Sequence, residues 1–360
     1  MPAIDRITLH RLRVPLTVPY RLAFGPVEAF DTVLVEIVTS DGATGFGEAT
    51  ILTGYTDETI DDSWRVACEL AAALRAERGD GMARIHGIGA KFPFTATAFG
   101  TALEMAAKSP LLALEQPAEV PLVGLLNAKD PRDEAAMSAE LDRLLAAGFR
   151  TIKVKVGFAI DDDIALVGAF QKVVRGRALI RIDANQAYTA DEGIRFMRAL
   201  DPADIELFEQ PCAAGDWDAH LAVARVAPVA MMLDESIYGM PDIERAAELK
   251  AATYIKLKLM KLVTLEALAS GIDRIRALGM KPVLSNGVAC DPGCWMEGCI
   301  AARQIDNAGE MNGWLKARGP LFREPLGFAN GAMQIPASWT PELDPEALER
   351  FGADRFVAHR

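Results

Sequence analysis

Five short segments carry charged residues in an arrangement that acid–base chemistry can use. In Thr151-Ile-Lys-Val-Lys-Val-Gly157, Lys153 and Lys155 alternate with Ile152, Val154 and Val156. Lys256 and Lys258 stand in the same relation in Tyr254-Ile-Lys-Leu-Lys-Leu-Met260. Between these segments, three apolar runs end in an acid: Asp183 in Leu179-Ile-Arg-Ile-Asp-Ala-Asn185, Glu209 in Leu207-Phe-Glu-Gln-Pro211, and Asp234 in Met232-Leu-Asp-Glu-Ser236. Adjacent strand ends lie about 4.8 Å apart, so three of them can gather three carboxylates around one point. Such a cluster repels itself strongly unless a hard dication with oxygen ligands relieves it. Asp183, Glu209 and Asp234 are therefore the candidate metal ligands, with Glu235 an alternative to Asp234. A basic lysine must be neutral, and a like charge two residues away on the same strand face lowers its pKa. Lys153 can do this for Lys155, and Lys256 or the metal for Lys258. The expected chemistry is removal of the proton next to a substrate carboxylate, with the metal stabilising the charge that develops.

Those segments belong to a periodic chain. Eight apolar runs begin at Val120, Thr151, Leu179, Ile205, Val229, Thr253, Pro282 and Ala308, spaced by roughly 24 to 31 residues. Helical periodicity fills the gaps, as in 134–147, 190–200 and 265–278. Strand, helix, strand at this spacing predicts βαβ units and a parallel sheet, and eight units close a barrel. An open doubly wound sheet is the competing arrangement, but no G-x-G-x-x-G follows the first strand. In a closed barrel the second and sixth strands are diametrically opposite, which sets Lys155 and Lys258 across the mouth from each other. Before the barrel, 7–15, 32–39 and 44–49 read as strands, and 56–75 and 94–114 as helices, the latter broken near Pro110. Strands followed by helices suggest an α+β domain.

At 360 residues two domains are expected. A net charge of −12 argues against a nucleic-acid partner. No apolar run reaches 18 residues and no signal peptide is visible, so a cytoplasmic protein without membrane attachment is expected. Five cysteines, an odd number, fit reduced thiols; the spacing of Cys290, Cys294 and Cys299 does not suggest zinc.

The ordered set Lys153-x-Lys155, Asp183-x-Asn185, Glu209-Gln-Pro211, Asp234-Glu-Ser236 and Lys258-Leu-Met-Lys261 resembles the enolase superfamily, and within it the muconate lactonizing enzyme subgroup. The resemblance spans nearly the whole chain, including the Gly45-Phe-Gly-Glu48 turn. It implies an α/β fold: a modified (β/α) TIM-type barrel, residues 118–320, under an N-terminal α+β capping domain, residues 1–117. A tail, residues 321–360, returns to the cap. It also implies Mg²⁺, which Mn²⁺ can replace, on Asp183, Glu209 and Asp234. Lys155 and Lys258 form the implied acid/base pair, with Lys153, Asn185 and Lys256 around them. The enolase-type base with Mg²⁺ is itself one of the known patterns of pKa tuning. A homo-oligomer acting on a small-molecule carboxylate is expected on the same ground.

The branch resembling mandelate racemase uses a histidine from the seventh strand, and Pro282 to Trp295 contains none. Leu262-Val263 replaces the usual Gly-Gly, and Glu310-Met-Asn312 replaces the Asp-x-Asp of dipeptide epimerases. Glu310 is a candidate partner for a cationic nitrogen, with Trp295 packed over it. Arg21, Phe24 and Tyr55, on loops of the cap, are the candidates to reach the substrate. Two opposed lysines fit a racemase or epimerase of an amino-acid-derived carboxylate. Dehydration of a hydroxy acid or hydroxylated imino acid, cycloisomerisation, and a non-enzymatic scaffold are the alternatives.

Overall fold

The computed structural model describes residues 3–22, 25–76, 81–127, 130 and 132–358. Strands β1 (Ile4–Leu22), β2 (Gly25–Thr39) and β3 (Thr44–Thr50) form an antiparallel meander. Gly42, at φ +82°, makes the turn between β2 and β3. Helices α1 (Ile60–Ala76), α2 (Gly81–Gly89) and α3 (Pro93–Ala106) follow. The sequence reading missed α2 and carried α3 too far: a short 3₁₀ turn at Pro110–Leu112 takes over. A Cβ on Gly45 or Gly47 would lie 2.2 Å from Ala102 O or 2.1 Å from Ala98 O. Only glycine lets β3 approach α3 this closely.

The next elements are β4 (Ala118–Pro121), β5 (Gly124–Leu126), α4 (Glu134–Ala146), β6 (Thr151–Lys155), α5 (Ile160–Val174), β7 (Leu179–Asp183) and α6 (Ala190–Ala199). Then come β8 (Ile205–Glu209), α7 (Trp217–Ala224), β9 (Ala230–Leu233), α8 (Met240–Leu249), β10 (Tyr254–Leu257), α9 (Leu265–Ala277), β11 (Lys281–Leu284) and α10 (Asp291–Gln304). Strands β5 to β11 pair in chain order, all parallel.

The eighth run supplies only bridging residues: Gly309 pairs with Leu122, and Glu310 with Ser285, both parallel. Val123 N donates to Gly309 O, and Glu310 N to Leu284 O, each at 2.9 Å, so this segment joins both edges and closes the barrel. Arg181, fully buried, braces the closure by donating to Ala308 O (2.6 Å) and Glu206 Oε2 (2.8 Å). The first run is also two elements. β5 is the barrel strand, while β4 pairs antiparallel with a tail strand, β13 (Ala332–Ile335), whose other neighbour is β12 (Gly327–Ala329). After α11 (Pro345–Arg350), β14 (Gly352–Ala358) joins the cap sheet beside β1.

Two acids of the cap, Glu48 buried and Glu104 half-buried, hold cap and barrel together by capping helices that start elsewhere in the chain. Glu48, on β3, accepts from Cys290 N (3.0 Å) and Gly293 N (2.9 Å) at the start of α10. Glu104, on α3, accepts from Leu265 N (2.5 Å) and Glu266 N (2.9 Å) at the start of α9. Each satisfies amide groups that a helix start leaves unpaired, and places negative charge at the positive end of its dipole.

Candidate active site

Alternation along a strand sends every second side chain to the barrel interior, and the parallel register sets those side chains in layers. Lys155, Asp183 and Glu209 stand side by side on β6, β7 and β8. Lys153 lies one layer deeper. Asp234 is the residue after β9, and Lys258 the residue after β10. Lys153, Lys155, Asp183, Asp234 and Lys258 line a cavity of about 320 Å³ at the C-terminal ends of the strands, while Glu209, fully buried, meets Lys153 and Lys256.

Within it, ammonium groups and carboxylates interleave. Lys153 Nζ bridges Asp183 Oδ2 (2.7 Å) and Glu209 Oε2 (2.8 Å), and also donates to both oxygens of Glu310 (3.0 and 2.9 Å). Lys256 Nζ donates to Glu209 Oε1 (2.5 Å) and Glu310 Oε1 (2.9 Å). Lys155 Nζ donates to Asp183 Oδ2 (2.6 Å) and to Asn185 Oδ1. Lys258 Nζ donates to Asp234 Oδ2 and to the Tyr55 hydroxyl, both at 2.8 Å, and that hydroxyl donates to Asp234 Oδ1 (3.0 Å). Lys261 Nζ donates to the backbone oxygens of Asp234 (3.0 Å) and Ile237 (2.8 Å).

Burial favours neutral acids here, but the surrounding lysines overrule it at Asp183, Asp234 and Glu310. Against burial, Lys153 and Lys155 hold Asp183 down at about 2, and Lys258, Lys256 and Lys261 hold Asp234 well below the carboxylate range. Burial and then the adjacent Asp183 push Glu209 up to about 7. Despite burial, Asp183, Glu209 and Glu310 keep Lys153 charged well above the usual lysine range. Again despite burial, Asp234 and Glu235 raise Lys258 above the usual lysine range, so the expectation that Lys256 lowers its pKa needs correction.

Among the described residues no three acidic, histidine or cysteine side chains are spaced to hold a metal ion, and Lys153 Nζ sits between Asp183 and Glu209. The donors nonetheless suit a hard dication. They are all oxygen, a cation already bridges two of them, and the buried Glu235 Oε2 has no hydrogen-bond partner. Five lysines (153, 155, 256, 258 and 261) balance five carboxylates (183, 209, 234, 235 and 310) in this interior. A dication fits only if ammonium charge withdraws or is deprotonated.

Tyr55 and Glu310 line the cavity, but Glu310 does not offer itself to a substrate cation. Both its oxygens are taken by Lys153 and Lys256. Trp295 is also reassigned. It is 1% exposed and packs against Phe46, Phe322 and Trp339, with ring centroids 5.9 to 6.3 Å apart. Helix α10 is buried for most of its length, so this aromatic fills core instead of covering substrate. Phe24 and the side chain of Arg21 lie outside the described residues. Sequence reading overlooked Lys261 as a site residue, because it falls outside the strand alternation. It also missed Tyr238, whose ring lies 4.6 Å from Lys261 Nζ. The Lys258-Leu-Met-Lys261 spacing is a signal for Lys261, whereas nothing in the sequence points to Tyr238.

Two family models cover most of the chain. Residues 6–126 match the N-terminal domain of mandelate racemase/muconate lactonizing enzyme, and 136–341 match the enolase C-terminal domain-like family. The chain belongs to the mandelate racemase/muconate lactonizing enzyme family. Within the enolase superfamily it falls in the muconate-lactonizing-enzyme-like subgroup, and it is an enzyme of the isomerase kind. A muconate cycloisomerase of Acinetobacter lwoffii is 30% identical, the match covering 92% of this chain and 90% of that one. A hydrophobic dipeptide epimerase of Enterococcus faecalis is 28% identical over 82% of this chain and 83% of its own. The crystal structure of a dipeptide epimerase from Cytophaga hutchinsonii, complexed with Mg and D-Ala-L-Val, superposes with a TM-score of 0.85. At 20% identity it covers 99% of this chain and 100% of that one, and it shares the fold.

Proposed function

We propose that this family member racemises or epimerises a small amino-acid-derived carboxylate, with Lys155 and Lys258 as the proton-transfer pair. The observation that carries this reading is their placement. β6 and β10 are separated by β7, β8 and β9 on one side, and by β11, the 309–310 segment and β5 on the other. A carbon between the two Nζ atoms can lose a proton to one and regain it on its other face from the other. Asp183, Glu209 and Asp234 would hold Mg²⁺, which supplies electrophilic stabilisation of the carboxylate charge that grows as the α-proton leaves. Lys155 Nζ, oriented by Asn185, and Lys258 Nζ, oriented by Tyr55, hold the two protons of the exchange. Most of these charged groups are buried, which strengthens each of their electrostatic contacts.

Because Glu310 is spent on Lys153 and Lys256, a free substrate ammonium gains nothing from it. We infer that the group on the α-carbon is uncharged, as in an N-acyl amino acid. The test is α-proton exchange in D₂O with Mg²⁺, followed by mass spectrometry over free and N-acylated amino acids, proline derivatives and hydroxy acids. Mass gain without loss of water, faster for the acylated compounds, is the expected result. A product lighter by one water would replace this reading with a dehydratase. Absence of exchange with Mg²⁺ bound would leave the cycloisomerase chemistry of the Acinetobacter relative.

A further inference from the structure

Gln210 follows Glu209 directly, is fully buried, and turns the chain at φ +38°, a region that side chains bearing a Cβ disfavour. Its backbone N donates to Met232 O (2.9 Å), the last such link between the ends of β8 and β9. Beyond that point its side chain takes over. Oε1 accepts from Asp234 N (2.9 Å) and Ser236 N (3.3 Å), so the Asp234-Glu235-Ser236 segment turns around one amide oxygen.

The other half of the amide is fixed as firmly. Nε2 donates to Ser236 Oγ (2.7 Å) and Cys212 O (3.1 Å), which uses both of its hydrogens. Ser236 Oγ passes its own hydrogen to Ala214 O (2.9 Å). His220, also fully buried, then has Ala213 O (3.2 Å) as the acceptor for its Nε2–H, which leaves Nδ1 without a partner. Every donor and acceptor of Gln210 is spoken for, so its orientation admits no flip. No surface of Gln210 reaches the cavity, so it can act only through its neighbours.

From this geometry we infer that Gln210, held by Ser236 and the Cys212 carbonyl, is a positioning residue that sets the separation of the Glu209 and Asp234 carboxylates, and with it the affinity for a divalent cation. The inference rests on the reading that these carboxylates hold metal. It assigns to one amide the task of tying the backbone of one ligand to the chain neighbour of another. Partners that orient ligands in this way typically change metal affinity or activity by about 10- to 100-fold when removed.

The test titrates the purified full-length protein with Mg²⁺ by calorimetry, and with Mn²⁺ by electron paramagnetic resonance, beside the thermal midpoint of each metal-free variant. Gln210→Leu keeps the volume and loses the acceptor; it should weaken Mg²⁺ binding by about 10- to 100-fold. Gln210→Glu retains an oxygen for Asp234 N and Ser236 N and should recover most of that loss. Ser236→Ala releases only the far end of the amide and should show a smaller weakening, about threefold or more; it carries the test if Gln210→Leu does not fold. A lowered midpoint with Mg²⁺ affinity unchanged in both Gln210→Leu and Ser236→Ala would mean a purely structural role and overturn the inference alone. Wild-type protein that binds neither ion would overturn the metal reading and this inference together.

Discussion

The barrel mouth and the joint between cap and barrel both bury carboxylates, yet they neutralise them by different means. In the mouth, Asp183, Glu209, Asp234 and Glu310 meet lysine ammonium groups at 2.5 to 2.9 Å. At the joint, Glu48, Glu104 and Asp291 meet backbone amides, Asp291 accepting from Leu321 N and Phe322 N of the tail. In the mouth, lysines outweigh burial and hold Asp183 at about 2 and Asp234 and Glu310 well below the carboxylate range, while Glu209, buried beside Asp183, is pushed up to about 7. At the joint, burial pushes Glu48 up to about 7 and Asp291 to about 6. A backbone amide is a fixed partial charge that cannot leave. An ammonium group on a flexible stem can swing aside, yield to another cation or release a proton. The first arrangement fastens two domains, and the second leaves charge available for chemistry.

Loss of a mouth lysine should break this comparison most visibly. Lys155→Ala and Lys258→Ala are each expected to lower racemisation by about 10²- to 10⁴-fold, followed by polarimetry or chiral chromatography, while Glu48→Gln keeps most activity. A Glu48 variant equally inactive at full fold would dissolve the distinction. Next in size, Glu310→Ala leaves Lys153 and Lys256 sharing Glu209 and should cost about 3 to 5 kcal/mol in urea unfolding. Gly47→Ala forces a methyl against Ala98 O and Thr101 Oγ1, and about 1 to 3 kcal/mol is expected in the same measurement.

The pH dependence of Glu48 sharpens the contrast at the joint. Its folded pKa of about 7 lies above the ordinary 4.5, so the folded state binds this proton more tightly than the unfolded chain. The stability it contributes is full below pH 4.5 and is lost as pH rises through about 7. Wild-type protein should therefore lose stability relative to Glu48→Gln between pH 4.5 and 7, and the urea-midpoint difference should level off above. The smallest effect belongs to the surface: Arg13→Ala, which removes an exposed pair with Asp31, should change stability by about 0.2 to 1 kcal/mol.

Much of the site was legible because strand alternation is a local rule. Lys153 and Lys155 share a face whatever surrounds them, and acids at the ends of successive parallel strands must become neighbours. The cap's three strands and the βαβ rhythm were legible for the same reason. The division of the first run into β4 and β5 was not, because β4 is a strand only by pairing with β13, more than 200 residues away. The eighth run shrank to Gly309 and Glu310 for a related reason: its length depends on how two distant edges meet.

By itself, the sequence determined which residue types stand at strand ends and on which face, hence the kind of chemistry, since both follow from backbone geometry repeated every two residues. Only the tertiary structure decided which charge each residue meets. Glu310 went to Lys153 and Lys256, Trp295 to the core, Glu48 to a helix start 242 positions along the chain, and the Gln210 amide to the backbone of Asp234. A buried charge or amide takes whichever partner the closed barrel brings within about 3 Å, and that is a property of the assembled fold.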